Sequence, residues 1–145
     1  MHAHITAITL GVRDRAAARR FYVDGLGWRP VLEVEDDVIF IQAGRGLLLA
    51  LWSAEKLAAE SDSQVGHGMP PISLGVNLDS PEEVSAALDA AVAAGARLLT
   101  AARHQAWGGV SGYFADPDGF RWEIAYNPGL SFDEAGNAVF RDIEQ

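Results

Sequence analysis

The sequence predicts an α+β protein made of two β-α-β-β-β modules in tandem. Strand-like apolar segments surround one helix in the same order in each half of the chain, and Leu74–Val76 repeats the Leu-Gly-Val of Leu10–Val12. A stretch rich in Ser, Gly and Pro, residues 61–71, separates the halves. One helix covers only one face of a sheet, so the modules are expected to pair, within the chain or between chains, around a cleft.

The first module is predicted to span residues 5–53. Asp14 is a good N-cap for the Ala-rich segment that follows it, and Gly25 and Gly27 are expected to end that helix. Alternating apolar residues predict the strands Ile5–Val12, Trp28–Val34, Val38–Ala43 and Leu47–Trp52.

A linker, residues 54–71, leads to the second module, residues 72–128, and the two modules form the single domain 1–128. Ser80 caps a helix over Pro81–Ala94 that has proline and acids in its first turn. The predicted strands are Ile72–Asp79, Arg97–Arg103, Ser111–Ala115 and Phe120–Tyr126. The tail, residues 129–145, contains a small hairpin around Asp133–Asn137, and a short helix over Ala54–Glu60 opens the linker.

The composition excludes several classes of function. Acidic residues outnumber basic ones by 20 to 11, giving a net charge of −9, so neither nucleic acid nor an anionic membrane is an expected partner. The chain has no cysteine, which rules out disulfides and thiolate metal sites. The longest apolar run, Leu47–Trp52, is too short to cross a bilayer, and the N-terminus has no secretory pattern. We expect a soluble cytoplasmic protein.

Two motifs stand out in the chain. Val12-Arg13-Asp14 precedes a helix that contains Phe21–Gly27, and Phe114–Gly119, reading FADPDG, precedes Trp122-Glu123. With the repeated module, these motifs resemble those of the vicinal oxygen chelate superfamily, which includes glyoxalases, bleomycin-resistance proteins and ring-cleaving dioxygenases. The resemblance covers Ile5 to about Pro128. It implies a half-open barrel of two sheets, a homodimer, and a divalent metal at the base of the cup.

The resemblance also implies four metal ligands: a His on the first strand of each module, a His or Glu ending the first module, and a Glu ending the second. The last matches Glu123. The others fall on Ala7, on Ile72 (or Pro71), and within Leu47–Trp52, none of which can chelate. Because a transition metal normally needs three or more protein ligands, we expect no metal cofactor.

Glu123 is the retained position and the predicted site residue. It is interpreted as a pocket carboxylate that acts as a base or anchors a ligand. The alternative is a polar residue on a solvated sheet face, paired with Arg121 or Arg103. The other predicted ligand-binding residues are Trp52, Trp107, Tyr113, His104 and Phe40, since aromatic side chains dominate small-molecule pockets.

The four histidines, His2, His4, His67 and His104, are expected to be solvated. A rebuilt divalent-metal site of His67 or His104 with Glu123 is the alternative. Asp116 and Asp118 are interpreted as turn residues rather than metal ligands, because Asp-Pro-Asp-Gly is turn chemistry.

Two main functions follow from this set. The first is a metal-independent protein that binds a neutral or cationic small molecule in the cup, with Glu123 as its polar anchor. The second is an enzyme of the lyase, isomerase or dioxygenase type, with a rebuilt metal site or with Glu123 in metal-free acid/base catalysis. A cup without a ligand is a third hypothesis.

Overall fold

The computed structural model of the chain describes residues 1–141. The chain divides into two compact units. The first contains residues 1–70 with 117–119, and the second contains residues 71–116 with the chain from Phe120 onward. No helix within residues 1–141 has the length and apolar character needed to cross a membrane.

The first unit has a four-stranded sheet in the order β1-β4-β3-β2, in which β1 and β4 are parallel and the other pairs antiparallel. Its elements are β1 (Ala7–Val12), α1 (Arg15–Arg19), a π-helical segment (Arg20–Gly25), β2 (Pro30–Glu33), β3 (Ile39–Gly44), β4 (Leu47–Ser53) and α2 (Ala54–Glu60). The predicted strands are present, with ends shifted by up to two residues.

The first helix begins as predicted, with the Asp14 side chain accepting a hydrogen bond from the Ala17 backbone N–H at 3.1 Å. Its last six residues are π-helical, which the sequence did not indicate. Capping and alanine content predict that a helix exists, but they do not distinguish hydrogen bonds four residues apart from bonds five apart. Phe21 and Tyr22 in this segment are both fully buried, edge to face at 4.8 Å.

Two arginines of the first helix are bound to one carboxylate. Arg15 and Arg19 lie 3.1 and 2.8 Å from Glu33 Oε1. The hydrogen bond from Arg19 holds the pKa of Glu33 below its ordinary value. These two guanidinium groups therefore form ion pairs with a glutamate of the same chain, at the surface of the helix.

The second unit repeats the first. Its sheet has the order β5-β8-β7-β6, again with the first and last strands of the module parallel. Its elements are β5 (Ser73–Asn77), α3 (Pro81–Ala93), β6 (Arg97–His104), β7 (Val110–Ala115) and β8 (Arg121–Tyr126), followed by β9 (Leu130–Phe132) and β10 (Ala138–Phe140). The α+β class and the duplicated module are thus confirmed.

Helix α3 has the predicted cap. Ser80 Oγ accepts from the Glu83 N–H at 3.3 Å, and the Glu83 carboxylate accepts from the Asp79 N–H at 2.9 Å. The helix buries Val84, Leu88 and Ala91. It covers the sheet face that carries Trp122 and Ile124, because a Cβ added to Gly112, which pairs with Ile124, would meet the Leu88 side chain at 2.5 Å.

The β7–β8 turn uses its aspartates structurally. Asp116 Oδ1 accepts from the Phe120 N–H at 2.8 Å, and Gly119 has a φ of +87°. Asp118 Oδ1 accepts from the Arg13 N–H at 2.8 Å. Asp116 therefore closes the turn as predicted, whereas Asp118 accepts from a residue far away in the sequence.

The tail forms a two-stranded antiparallel sheet from β9 and β10. The Asp133 carboxylate accepts from the side chain and the backbone N–H of Asn137, which lowers the pKa of Asp133. Phe132 and Phe140 remain largely exposed on this hairpin. The last four residues of the predicted tail segment, 142–145, lie outside the described part of the chain.

Candidate functional site

Strand register places Glu123 on the helix-free face of the second sheet. Successive residues of a strand point to opposite faces, and Trp122 and Ile124 lie on the face that α3 covers. Glu123 stands directly opposite Tyr113 of β7 and beside Gly75 of β5. A Cβ at Gly75 would meet no atom within 4 Å, so the space beside the carboxylate is open.

Tyr113 and Glu123 form a hydrogen-bonded pair across the two strands, with the phenol donating to the carboxylate. Burial raises the pKa of Tyr113, and the Glu123 charge and this hydrogen bond raise it further. Arg121, on the same face of β8, acts in the opposite direction. The phenol and the carboxylate therefore stand side by side on the open sheet face.

This pair predicts a specific alkaline titration. Because its folded-state pKa is raised, Tyr113 contributes stability that is present below the unfolded-state value of about 10 and is lost as pH rises through the folded value. Subtracting the ultraviolet titration of Tyr113→Phe from that of the wild type should isolate a tyrosine that ionises above the ordinary range. In Glu123→Gln, the Tyr113 midpoint should fall while staying above the ordinary value, since burial remains. A midpoint unaffected by Glu123→Gln would contradict the pairing.

Glu123 lines an open cleft of about 380 Å³. The cleft combines one carboxylate, two carboxamides and a mostly apolar remainder, and its lining residues are Asn77, Trp107, Glu123, Ala125, Asn127, Leu130 and Phe140. Asn127 Oδ1 accepts from the Gly129 N–H at 2.9 Å, which fixes that carboxamide at the start of the tail. A few polar groups among aromatic and apolar side chains are typical of small-molecule sites.

Trp107 forms one wall of this cleft because the chain beside it is glycine. A Cβ at Gly109 would overlap the indole ring of Trp107 and the Tyr126 carbonyl oxygen, so the ring lies directly on the Gly109 backbone. The loop is closed by the Gln105 N–H, which donates to the Gly109 carbonyl at 2.9 Å, and Gly108 has a φ of +94°. The indole is thereby held against the sheet while 38 % of the residue stays exposed.

A second hollow, of about 490 Å³, lies in the same unit. It is lined by Pro71, Ile72, Ser73, Leu99, Thr100, Tyr113 and Arg121. Tyr113 thus lines this second hollow, while its hydroxyl group donates a hydrogen bond to Glu123, which lines the first cleft. Pro71 and Ile72, where the family pattern expects a histidine, contribute apolar surface here.

The remaining predicted site residues lie elsewhere. Trp52 and Phe40 belong to the first unit and do not line the Glu123 cleft. Trp52 Nε1 donates to Asp37 Oδ1 at 2.9 Å, and Lys56 Nζ lies 2.8 Å from the same oxygen. Hydrogen bonds from Lys56 and Trp52 lower the pKa of Asp37. His104 is exposed at the end of β6, opposite Val110, and lines neither hollow.

Several cleft residues were not predicted from sequence. Asn77 could have been found, because it pairs with Ala125, the next residue after Glu123 on the same face of β8. Arg121 was predicted only as a pairing partner, although it shares that face. Leu130 and Phe140 were not predicted as site residues, because nothing in the tail sequence says where its hairpin packs.

The residues at the family's metal positions do not fit a metal. Ala7, Pro71 and Ile72 offer no donor side chain, and neither does the segment Leu47–Trp52. Glu123, the fourth position, accepts a hydrogen bond from Tyr113. Across residues 1–141, no group of three or more His, Asp or Glu side chains is placed to hold a metal ion.

Two four-stranded β-α-β-β-β units with the same strand order define the class of protein to which this fold belongs. The glyoxalase/bleomycin resistance protein/dioxygenase superfamily model matches residues 3–124, and the chain belongs to that family. The predicted resemblance is therefore confirmed. No functionally curated relative matches the sequence.

Solved structures give the same assignment. A glyoxalase-related enzyme from Fulvimarina pelagi is 36 % identical, with a TM-score of 0.88, covering 97 % of this chain and 100 % of that one. A glyoxalase/bleomycin resistance protein/dioxygenase from Nocardioides is 25 % identical, with a TM-score of 0.73 and coverages of 89 % and 87 %. Lactoylglutathione lyase from Agrobacterium tumefaciens, 21 % identical with a TM-score of 0.66 and coverages of 86 % and 94 %, shares the fold.

Proposed function

We propose that this protein binds a small organic molecule in the Glu123 cleft and that it does so without a metal ion. The observation that carries the proposal is the composition of the cleft. Its carboxylate is held by Tyr113 and stands among Trp107, Phe140 and two carboxamides. A hollow that combines aromatic and aliphatic walls with a few polar groups suits recognition of an organic ligand.

The absence of donor side chains at the family's other metal positions supports the metal-free part of the proposal. A carboxylate that already accepts from a tyrosine can still accept from a ligand, because its two oxygens offer about four lone-pair sites. In this proposal Glu123 anchors an amine or a hydroxyl group of the ligand.

Metal content tests this directly. Protein purified without a histidine tag or chelator should contain less than one equivalent of any transition metal, and added Ni²⁺, Zn²⁺ or Mn²⁺ should leave its thermal midpoint unchanged. Glu123→Gln should behave identically in both assays. A stoichiometric metal that disappears in Glu123→Gln would overturn the metal-free proposal in favour of a rebuilt site.

Enzymatic catalysis is the second candidate, and the Tyr113–Glu123 pair favours it. A fixed carboxylate beside a phenol could serve as a general base and acid without a metal. The Fulvimarina pelagi relative, which is described as an enzyme, supports the same candidate. The two functions separate at Glu123→Gln: a catalyst would lose turnover while it still bound its substrate, whereas a binding protein would lose affinity.

The proposal includes a homodimer in the cytoplasm. β2 is an edge strand of the first sheet, and Val31 and Leu32 on it are 56 % and 54 % exposed. Apolar residues on a free sheet edge favour association with a second copy. The absence of cysteine suits a reducing compartment.

A further inference from the structure

We propose that the ligand of the Glu123 cleft is an organic ammonium ion, with the carboxylate as its counter-ion and the Trp107 and Phe140 rings as its walls. This inference rests on the proposed function and specifies the chemical class of its ligand. It depends on the charge of the cleft, on the placement of its aromatic rings, and on the fact that Glu123 and Arg121 line different hollows.

The charge of the cleft has one sign. Among the described residues that line it, Glu123 is the charged one and the other six are neutral. Its carboxylate accepts a hydrogen bond from the Tyr113 phenol, which has no positive charge to neutralise it. A ligand that brings a positive charge to this carboxylate gains a charge-assisted hydrogen bond, which is stronger than a neutral one.

The aromatic residues suit a cation as well. Trp107 and Phe140 line the same cleft as Glu123, although they come from a loop of the sheet and from the tail hairpin. The face of an aromatic ring carries negative charge density and attracts ammonium groups, most strongly for Trp. The indole is already fixed on Gly109, so binding does not have to order it.

Arginines share this sheet face with Glu123, but Arg121, Arg97 and Arg103 are not among the described residues that line its cleft. Arg121 stands two residues before Glu123 on β8, and it lines the hollow that contains Thr100 and Leu99. The net charge of −9 further favours the approach of cations over anions.

Three probes of similar shape test the inference on the intact, untagged protein: phenethylamine (a cation at neutral pH), 2-phenylethanol and phenylacetate. Calorimetry and tryptophan quenching should show phenethylamine binding about tenfold or more tighter than the alcohol, with phenylacetate weakest. Glu123→Gln should reduce the ratio of amine to alcohol affinity to near one. The matched control Glu60→Gln, which removes a charge from exposed α2, should keep the wild-type ratio.

The outcomes separate the two proposals. If the alcohol binds as tightly as the amine, or if phenylacetate binds best, the ammonium assignment is overturned while a small-molecule site remains. If none of the three probes binds, both the ammonium assignment and the proposed function are overturned. The comparison of probes on the wild type requires no variant to fold, and circular dichroism of Glu123→Gln establishes that its ratio refers to a folded protein.

Discussion

Replacing Gly112 with alanine is expected to lower the free energy of unfolding by about 1–3 kcal/mol, the usual effect of overfilling a packed core. The new Cβ would lie 2.5 Å from Leu88 Cδ1, 2.8 Å from the Thr100 carbonyl oxygen and 3.0 Å from the Ala102 nitrogen. The leucine could rotate away, but the β6 backbone could not move without disturbing its pairing with β7. Urea unfolding, followed by tryptophan fluorescence and circular dichroism, measures the change.

Gly75→Ala is the matched control for this substitution. Gly75 lies in the same sheet on the opposite face, and a Cβ there would meet no atom within 4 Å. Alanine should leave stability unchanged or raise it by up to about 1 kcal/mol, because it reduces the conformational entropy of the unfolded chain. Equal losses in the two variants would contradict the placement of α3 on the Gly112 face.

The second large effect is expected at Gly109, where alanine should displace Trp107 from the cleft. The added Cβ would occupy the position of the indole ring and would also overlap the Tyr126 carbonyl oxygen. The ring must therefore leave the sheet, which should shift the Trp107 emission to longer wavelength. Phenethylamine affinity should fall by about as much as in Trp107→Leu, roughly tenfold for a lost aromatic wall.

Gly66→Ala controls for the loss of a glycine as such. Gly66 lies in the linker, and a Cβ there would meet nothing within 4 Å. This variant should retain both the emission spectrum and the affinity of the wild type. If Gly109→Ala kept the wild-type emission and affinity, Trp107 would not be the wall that the geometry describes.

The fold could be predicted because its signals are local and repeated. Asp14 and Ser80 cap their helices as the sequence indicated, and both modules have the strand order expected of a repeat. The period of two along β8 places Glu123 and Trp122 on opposite faces, as the register shows. These features depend on strand periodicity and capping chemistry, which neighbouring residues determine.

The candidate site was less predictable because its parts meet through tertiary contacts. The Trp52 indole donates a hydrogen bond to Asp37, so the acidic segment at residues 35–37 lies against the end of β4. No local sequence pattern indicates this contact. Phe140 reaches the cleft only because the tail forms a hairpin beside it. The position of Trp107 depends on the absence of a side chain at Gly109, and a glycine in a sequence does not show which ring will pack on it.

The most direct test of a metal-free ligand site is a crystal structure of untagged protein purified without a chelator, with anomalous diffraction data collected for transition metals. The proposal predicts organic density in contact with Glu123, Trp107 and Phe140, and no anomalous peak beside the Glu123 carboxylate. An anomalous peak at coordination distance from that carboxylate, completed by His67, His104 or any other donor, would contradict it.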